Sequence, residues 1–154
     1  MNIAQKITPF LWFDDNAEEA INFYISIFKN SKLVSLSRNG DKVMGATFEV
    51  EGQRFMALNG GPHFSFTPAI SLFVDCEDQA EVDELWKRLT ADGGEASRCG
   101  WLKDKYGLSW QIIPKALGRL LQDKDSAKAS RVMQAMLKMS KIEIKELERA
   151  YAGG

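Results

Sequence analysis

The chain has 154 residues, 45% hydrophobic and 27% charged, with a net charge of −1. That is enough for one domain with a real core or for two small fused modules, and its balanced charge excludes a global pull toward nucleic acid or anionic lipid. No apolar run approaches the roughly 20 residues that a bilayer span needs, and the opening MNIAQKITPF lacks the basic and apolar regions of a signal peptide, so no membrane partner is expected.

Lys6 to Phe13 predicts a first strand, in which Pro9 is tolerable near an edge or bulge. Asp14-Asp15-Asn16 reads as a turn and helix N-cap, with Glu18 and Glu19 favourable in the first turn. Ala20, Ile21, Tyr24, Ile27 and Phe28 then recur at helical spacing over Ala17 to Phe28. Lys32 to Arg38 and Val43 to Val50 form a hairpin around Asn39-Gly40-Asp41. A tight turn at Glu51-Gly52 leads into a strand from Arg54 to Asn59, closed by Gly60-Gly61-Pro62.

After a loop from His63 to Thr67 the pattern restarts. Ala69 to Asp75 predicts a strand, and Asp78 to Ala91 a helix that buries Ala80, Val82, Leu85, Trp86 and Leu89 and ends at Asp92-Gly93-Gly94. Short strands follow near Glu95 to Cys99 and at Trp101-Leu102. The turn Asp104-Lys105-Tyr106-Gly107 then leads into an alternating strand from Leu108 to Ile113. In that strand Ser109, Gln111 and Ile113 share one face, and Leu108, Trp110 and Ile112 the other. The two halves are an internal repeat: Leu11-Trp12-Phe13-Asp14 matches Leu72-Phe73-Val74-Asp75, and Phe23-Tyr24 matches Leu85-Trp86. Each half reads strand, helix, meander, and two such halves side by side leave a cleft, the default place for a small-molecule ligand.

From Pro114 the pattern changes to short helices. One spans Lys115 to Leu121, one is capped by Ser126 and runs to Met139, and a last carries the stripe Ile144, Leu147, Tyr151. Each is too short to be stable alone and must dock on the sheets or on a partner. The expected organisation is therefore residues 1–114 in two modules (1–62 and 63–114), followed by a helical extension, 115–154.

Cys76 and Cys99 are too few for a disulfide framework and read as reduced, partly buried thiols of a cytoplasmic protein. His63 is the single histidine, so one chain cannot build a zinc site with two or three His ligands. No G-x-G-x-x-G opens a helix after a strand, which gives no sign of a Rossmann-type cofactor site.

The segments ITPFLWFDDNAEEAINFYISIF, FMALNGGPHFSF, AISLFVDCEDQAEVDELWKRL and CGWLKDKYGLSWQIIP, with the tail RVMQAMLKMSKIEIKELERAY, resemble the vicinal oxygen chelate superfamily, which includes glyoxalase I and bleomycin-resistance proteins. Within it they look most like PhnB-like proteins, often labelled 3-demethylubiquinone-9 3-methyltransferase. The resemblance implies an α+β fold of two βαβββ modules forming a cupped open barrel, in a homodimer. It also places the superfamily's metal-ligand positions at Thr8, Ala69 and Gln111, with one more near Met56 or Leu58. These side chains are neutral or apolar, so no metal and no cofactor is expected, and the Lewis-acid chemistry of the metal-dependent relatives is not implied here.

By strand parity the face left open shows Thr8, Phe10 and Trp12, then Ala69, Ser71 and Phe73, with Met56, Leu58, Trp101, Ser109 and Gln111: aromatic, with a few polar groups, suited to a small planar or amphipathic ligand. The same aromatics could instead fill a closed core, each worth about 1.5–3 kcal/mol of burial. His63 could act as general base or ligand contact, or be a turn histidine bonded to backbone. Lys103, Asp104 and Lys105 could select an anion or simply be solvated, and Cys99 would react only with a lowered pKa. Two functions follow: a metal-independent small-molecule binding protein, or an enzyme on an aromatic or quinone-like substrate using His63 or another, unidentified acid–base group.

Overall fold

The computed structural model describes residues 5–154; the first four residues of the N-terminal stretch, on which the absence of a signal peptide partly rests, lie outside them. The chain divides into two compact units, one ending at Phe66 and the other spanning Thr67–Gly154.

In the first unit β1 (Phe10–Phe13), α1 (Ala17–Ile27), β2 (Lys32–Asn39), β3 (Lys42–Val50) and β4 (Gln53–Asn59) build a four-stranded sheet in the order β1-β4-β3-β2. β1 runs parallel to β4, and the other pairings are antiparallel. α1 covers one face, where Leu11, Phe13, Ala46, Phe48, Val50, Phe55 and Ala57 are buried with Ala17, Ala20, Ile21 and Tyr24. The first strand is shorter than its sequence suggests. Pro9 has no N–H for the ladder. The Gln5 side chain substitutes for backbone there, donating from Nε2 to the Arg54 carbonyl (2.9 Å) and accepting from the Arg54 amide (3.1 Å).

The α1 N-terminus departs from expectation too. Asn16 stands at the N-cap but makes no side-chain capping bond. The Ala17 amide instead donates to Asn59 Oδ1 (2.9 Å), at the end of β4, while Asn59 Nδ2 donates to the Val43 carbonyl (3.1 Å). One side chain from 42 positions downstream thus ties the helix start to two strands.

The second unit repeats the plan. β5 (Ser71–Cys76), α2 (Gln79–Leu89), β6 (Glu95–Ala96), β7 (Trp101–Lys103) and β8 (Ser109–Pro114) form a sheet ordered β5-β8-β7-β6, again with the first strand parallel to the last. Asp78 caps α2 by accepting from the Glu81 amide. Val82, Leu85 and Leu89 pack with Leu102, Leu108, Trp110 and Ile112 in the buried layer on that side of the sheet. Neither sheet closes on itself, and the architecture is mixed α+β.

The extension α3 (Lys115–Leu121), α4 (Ser126–Leu137) and α5 (Ile144–Ala152) belongs to this second unit. α4 is capped by Asp125, whose Oδ1 accepts from Ala127 and Lys128 amides, rather than by Ser126, and it ends two residues before Met139. Val132, Ile142, Leu147 and Leu117 bury Ile113 of β8, so the helices have their own core seated on the sheet's end. Backbone bonds reinforce this contact: the Cys99 and Gly100 amides donate to the Met139 and Ser140 carbonyls, each at 2.8 Å. Gln79 of α2 clamps the start of α5, donating to the Ile142 carbonyl and accepting from the Ile144 amide (2.7 Å).

Candidate functional site

Because α1 and α2 each cover one face of their sheet, side chains of the opposite parity form a second face in each unit, which in the second unit meets the extension helices only at its Ile113 end. On the first sheet, register places Phe10 beside Met56 and Trp12 beside Leu58, with Thr47 and Gly45 next in line on β3. Phe10 remains 52% exposed and Met56 is also exposed, while Trp12 and Leu58 are half-buried. Thr8 lies just before β1 and is half-buried.

The loop after β4 is pinned to this face. Trp12 Nε1 donates to the Gly61 carbonyl (2.9 Å), and the Phe64 ring meets the indole edge-on at 4.9 Å. Gly60 passes so close that a Cβ there would lie 2.2 Å from the indole. Only glycine permits that approach. His63 rides on this loop, exposed, and makes no hydrogen bond among the described residues, so the backbone-bonded turn histidine is not what the structure contains.

On the second sheet the register lines up Phe73, Gln111 and Trp101 in one row across β5, β8 and β7. The neighbouring row is Ser71, Ser109 and Lys103, with Glu95 opposite Lys103 on β6. Phe73 is 59% exposed and Trp101 and Gln111 are half-buried. Gln111 Nε2 donates to Ser71 Oγ at 3.0 Å, a diagonal bond that confirms the shared face. Ser109 is only 1% exposed, and its Oγ has no hydrogen-bond partner among the described residues. Ala69 precedes β5 and is exposed, its amide donating to Thr67 Oγ1. Thus Phe73, Trp101, Ser109 and Gln111 come together on one sheet, and Phe10, Trp12, Met56 and Leu58 on the other.

The charged turn differs from the solvated one expected. Asp104 is 2% exposed. Its Oδ1 accepts from the Tyr106 and Leu108 amides (2.8 and 3.1 Å), and its Oδ2 from the Trp110 indole (2.9 Å). The Gly107 amide closes the turn on the Asp104 carbonyl, and Gly107 takes φ +87°. Asp104 therefore sets the geometry of the chain entering β8, the strand that presents Ser109 and Gln111. The signal was the spacing Asp-x-x-Gly, since an aspartate opening a turn bonds the amide two residues on.

Among the described residues, no three His, Cys, Asp or Glu side chains converge in a way that could hold a metal ion, and no helix is long and apolar enough to cross a membrane. Of the thiols, Cys76 is buried and its pKa is pushed up to about 12, chiefly by burial and then by the nearby Glu81 and Asp75 carboxylates. It is inert at neutral pH. Cys99 is half-buried at the junction with the extension.

Residues 5–113 match the 3-demethylubiquinone-9 3-methyltransferase family. Among solved structures, a Bacillus cereus PhnB protein carrying that same methyltransferase label is 41% identical, with a TM-score of 0.67, over 71% of this chain and 99% of that one. The Pseudomonas aeruginosa protein PA1353 is 21% identical, with a TM-score of 0.62, over 72% and 98% of the two chains. A form of the fosfomycin resistance protein FosX from Listeria monocytogenes is 19% identical, with a TM-score of 0.54, over 71% and 90%. At those identities the last two share the fold alone. No functionally curated protein matches the chain.

Proposed function

The chain belongs to the 3-demethylubiquinone-9 3-methyltransferase family, the PhnB-like branch of the glyoxalase fold superfamily, and from that premise we propose that it is a metal-independent binding protein for a small aromatic or amphipathic molecule. The observation that carries this reading is the row Phe73–Gln111–Trp101 on the sheet face opposite α2, where Phe73 stays 59% exposed. A neutral amide flanked by two aromatic side chains offers apolar area with one orienting polar group, the usual make-up of a small-molecule site.

The donor set supports metal independence. FosX is described in complex with Mn(II) and a dihydroxypropylphosphonic acid. Here the side chain where the superfamily places a glutamate ligand is Gln111, and it is engaged with Ser71. Lys103 stands in the adjoining row of the same face. Neutral oxygens beside an ammonium do not fit a divalent cation, which takes carboxylate or imidazole donors.

Protein purified without added metal should carry none by elemental analysis, and its melting temperature should be insensitive to chelator but raised by small aromatic ligands. Stoichiometric Zn, Mn, Ni or Fe would overturn the reading. The resemblance further supports a homodimer, checked by light scattering, in a reducing compartment such as the cytoplasm, where both thiols persist.

A second reading, an enzyme on an aromatic or quinone-like substrate, is favoured by one observation: the exposed His63 sits on the loop bonded to Trp12. His63→Ala would then abolish turnover while leaving stability within about 0.5 kcal/mol, as expected for an exposed side chain. An unchanged rate would remove His63 from the chemistry.

A further inference from the structure

We propose that Ser71, Ser109 and Lys103, with Gln111 beside them, form an acceptor-oxygen subsite that takes the phenolate oxygen of an aromatic ring held between Phe73 and Trp101; this deepens, and rests on, the binding reading above. The first observation is the orphan hydroxyl of Ser109. A buried hydroxyl without a partner is costly to keep, and alanine would fill the same space without that cost. Ser109 is among the most buried residues of the unit and stands between Ser71 and Lys103 in one register row.

The second observation is the hydrogen-bond inventory around it. Ser71 Oγ accepts from Gln111 Nε2, which leaves the Ser71 proton to be donated elsewhere. Lys103 is half-buried and makes no ion pair among the described residues, although Glu95 stands opposite it on β6. Two hydroxyl protons and an ammonium therefore face the same side as Gln111 Oε1, with the Glu95 carboxylate at the far end of the row, opposite Lys103. A donor-rich cluster is complementary to an oxygen that accepts, most strongly when it is ionised. Exclusion from bulk water strengthens such bonds further.

The spacing suits a ring. Phe73 and Trp101 lie two strands apart, roughly 9–10 Å at a strand separation of about 4.8 Å. An aromatic ring in van der Waals contact on both sides needs about 7–8 Å. The serine row lies two residues along the strands, roughly 6.7 Å away. A ring oxygen plus one hydrogen bond reaches about that far.

The test uses the full chain and two probes of the same ring, 4-nitrophenolate and 4-nitroanisole, whose oxygen is capped by methyl. Wild type should bind the phenolate at least tenfold more tightly, read from its absorbance shift and by calorimetry. Ser109→Ala and Lys103→Met should each weaken phenolate binding about tenfold while changing anisole binding less than twofold, the worth of one charge-assisted hydrogen bond. Phe73→Ala should weaken both probes. Ser109→Ala should not lower the melting temperature of the free protein. Equal affinity for the two probes would overturn the oxygen subsite and leave the aromatic site standing. So would a Ser109→Ala variant with a lowered melting temperature and unchanged affinities, which would mean that Ser109 serves a structural water only. Binding of neither probe would overturn both the subsite and the aromatic face it rests on.

Discussion

Replacing Asp104 by alanine tests whether a buried carboxylate, rather than a solvated charge, organises the approach to β8. The substitution removes the acceptor of three bonds, from the Tyr106 and Leu108 amides and the Trp110 indole. The Tyr106 amide is near enough to the surface to find water, whereas Leu108 and Trp110 are buried, at 2% and 3% exposure. Each orphaned buried donor costs about 1–3 kcal/mol, so Asp104→Ala should lose roughly 4 kcal/mol, a large fraction of a typical stability of about 5–15 kcal/mol. At a urea m-value near 2 kcal/mol/M the midpoint should fall by roughly 2 M, with the slope unchanged. Asp104→Asn can keep Oδ1 on the two amides but presents an NH₂ group to the indole N–H, donor against donor, and should lose about 2 kcal/mol. Urea titrations followed by far-UV circular dichroism give both values. A loss under about 0.5 kcal/mol for Asp104→Ala, or Asp104→Asn less stable than Asp104→Ala, would refute this account of the turn.

Gly100 takes φ +84°, and a Cβ there would lie 2.6 Å from Ile113 Cδ1 and 3.1 Å from the Ile112 carbonyl and Ile142 Cγ1, so Gly100→Ala should destabilise by about 2–4 kcal/mol in the same urea assay. Gln79→Ala removes both bonds that hold the start of α5; amide exchange in Ile144–Ala152 should quicken by roughly tenfold while β3 and β4 stay protected, and uniform quickening would refute a local clamp. The Cys76 thiol is raised from 9.0 to about 12, first by burial, so the folded state holds its proton more tightly than the unfolded chain. Its contribution is complete below pH 9.0 and is lost as the pH rises toward 12; Cys76→Ala should therefore flatten the fall of stability across that window, and at pH 8 a thiol reagent should modify Cys99 well before Cys76.

Much of this architecture was legible because it is local and periodic. Alternation along Phe10–Phe13 and Leu108–Ile113 assigned Phe10, Trp12, Ser109 and Gln111 to the faces they occupy, and the repeat of Leu11–Asp14 at Leu72–Asp75 anticipated two sheets with one strand order. The misreadings share a physical cause: a polar side chain bonded to something distant in sequence or geometrically unexpected. Asn59 caps a helix 42 residues upstream, and Gln5 stands in for a strand beside Arg54, 49 residues away. Asp104 looked solvated because its neighbours are lysines, although its partners are two amides and an indole. At α4 both Asp125 and Ser126 are good caps, and composition alone does not choose between adjacent candidates.

Exposure separates the two uses that aromatic residues of a strand could serve. Phe13 and Phe48, on the helix-covered face of the first sheet, are 2% and 1% exposed, as core side chains should be. Phe10 and Phe73, on the faces opposite α1 and α2, are 52% and 59% exposed, Phe10 beside Met56 and Phe73 beside Gln111. Solvent-facing aromatics set in rows gain little by packing within their own sheet, so burial does not account for them. The polar residues on the second face point the same way. In a closed core Gln111 and Ser109 would each be a penalty, and an apolar replacement of similar size would be an improvement. Gln111 is satisfied by Ser71, but the unpartnered Ser109 hydroxyl on this face, flanked by Phe73 and Trp101, costs stability in the isolated chain, and a bound molecule that hydrogen-bonds it would recover that cost on binding.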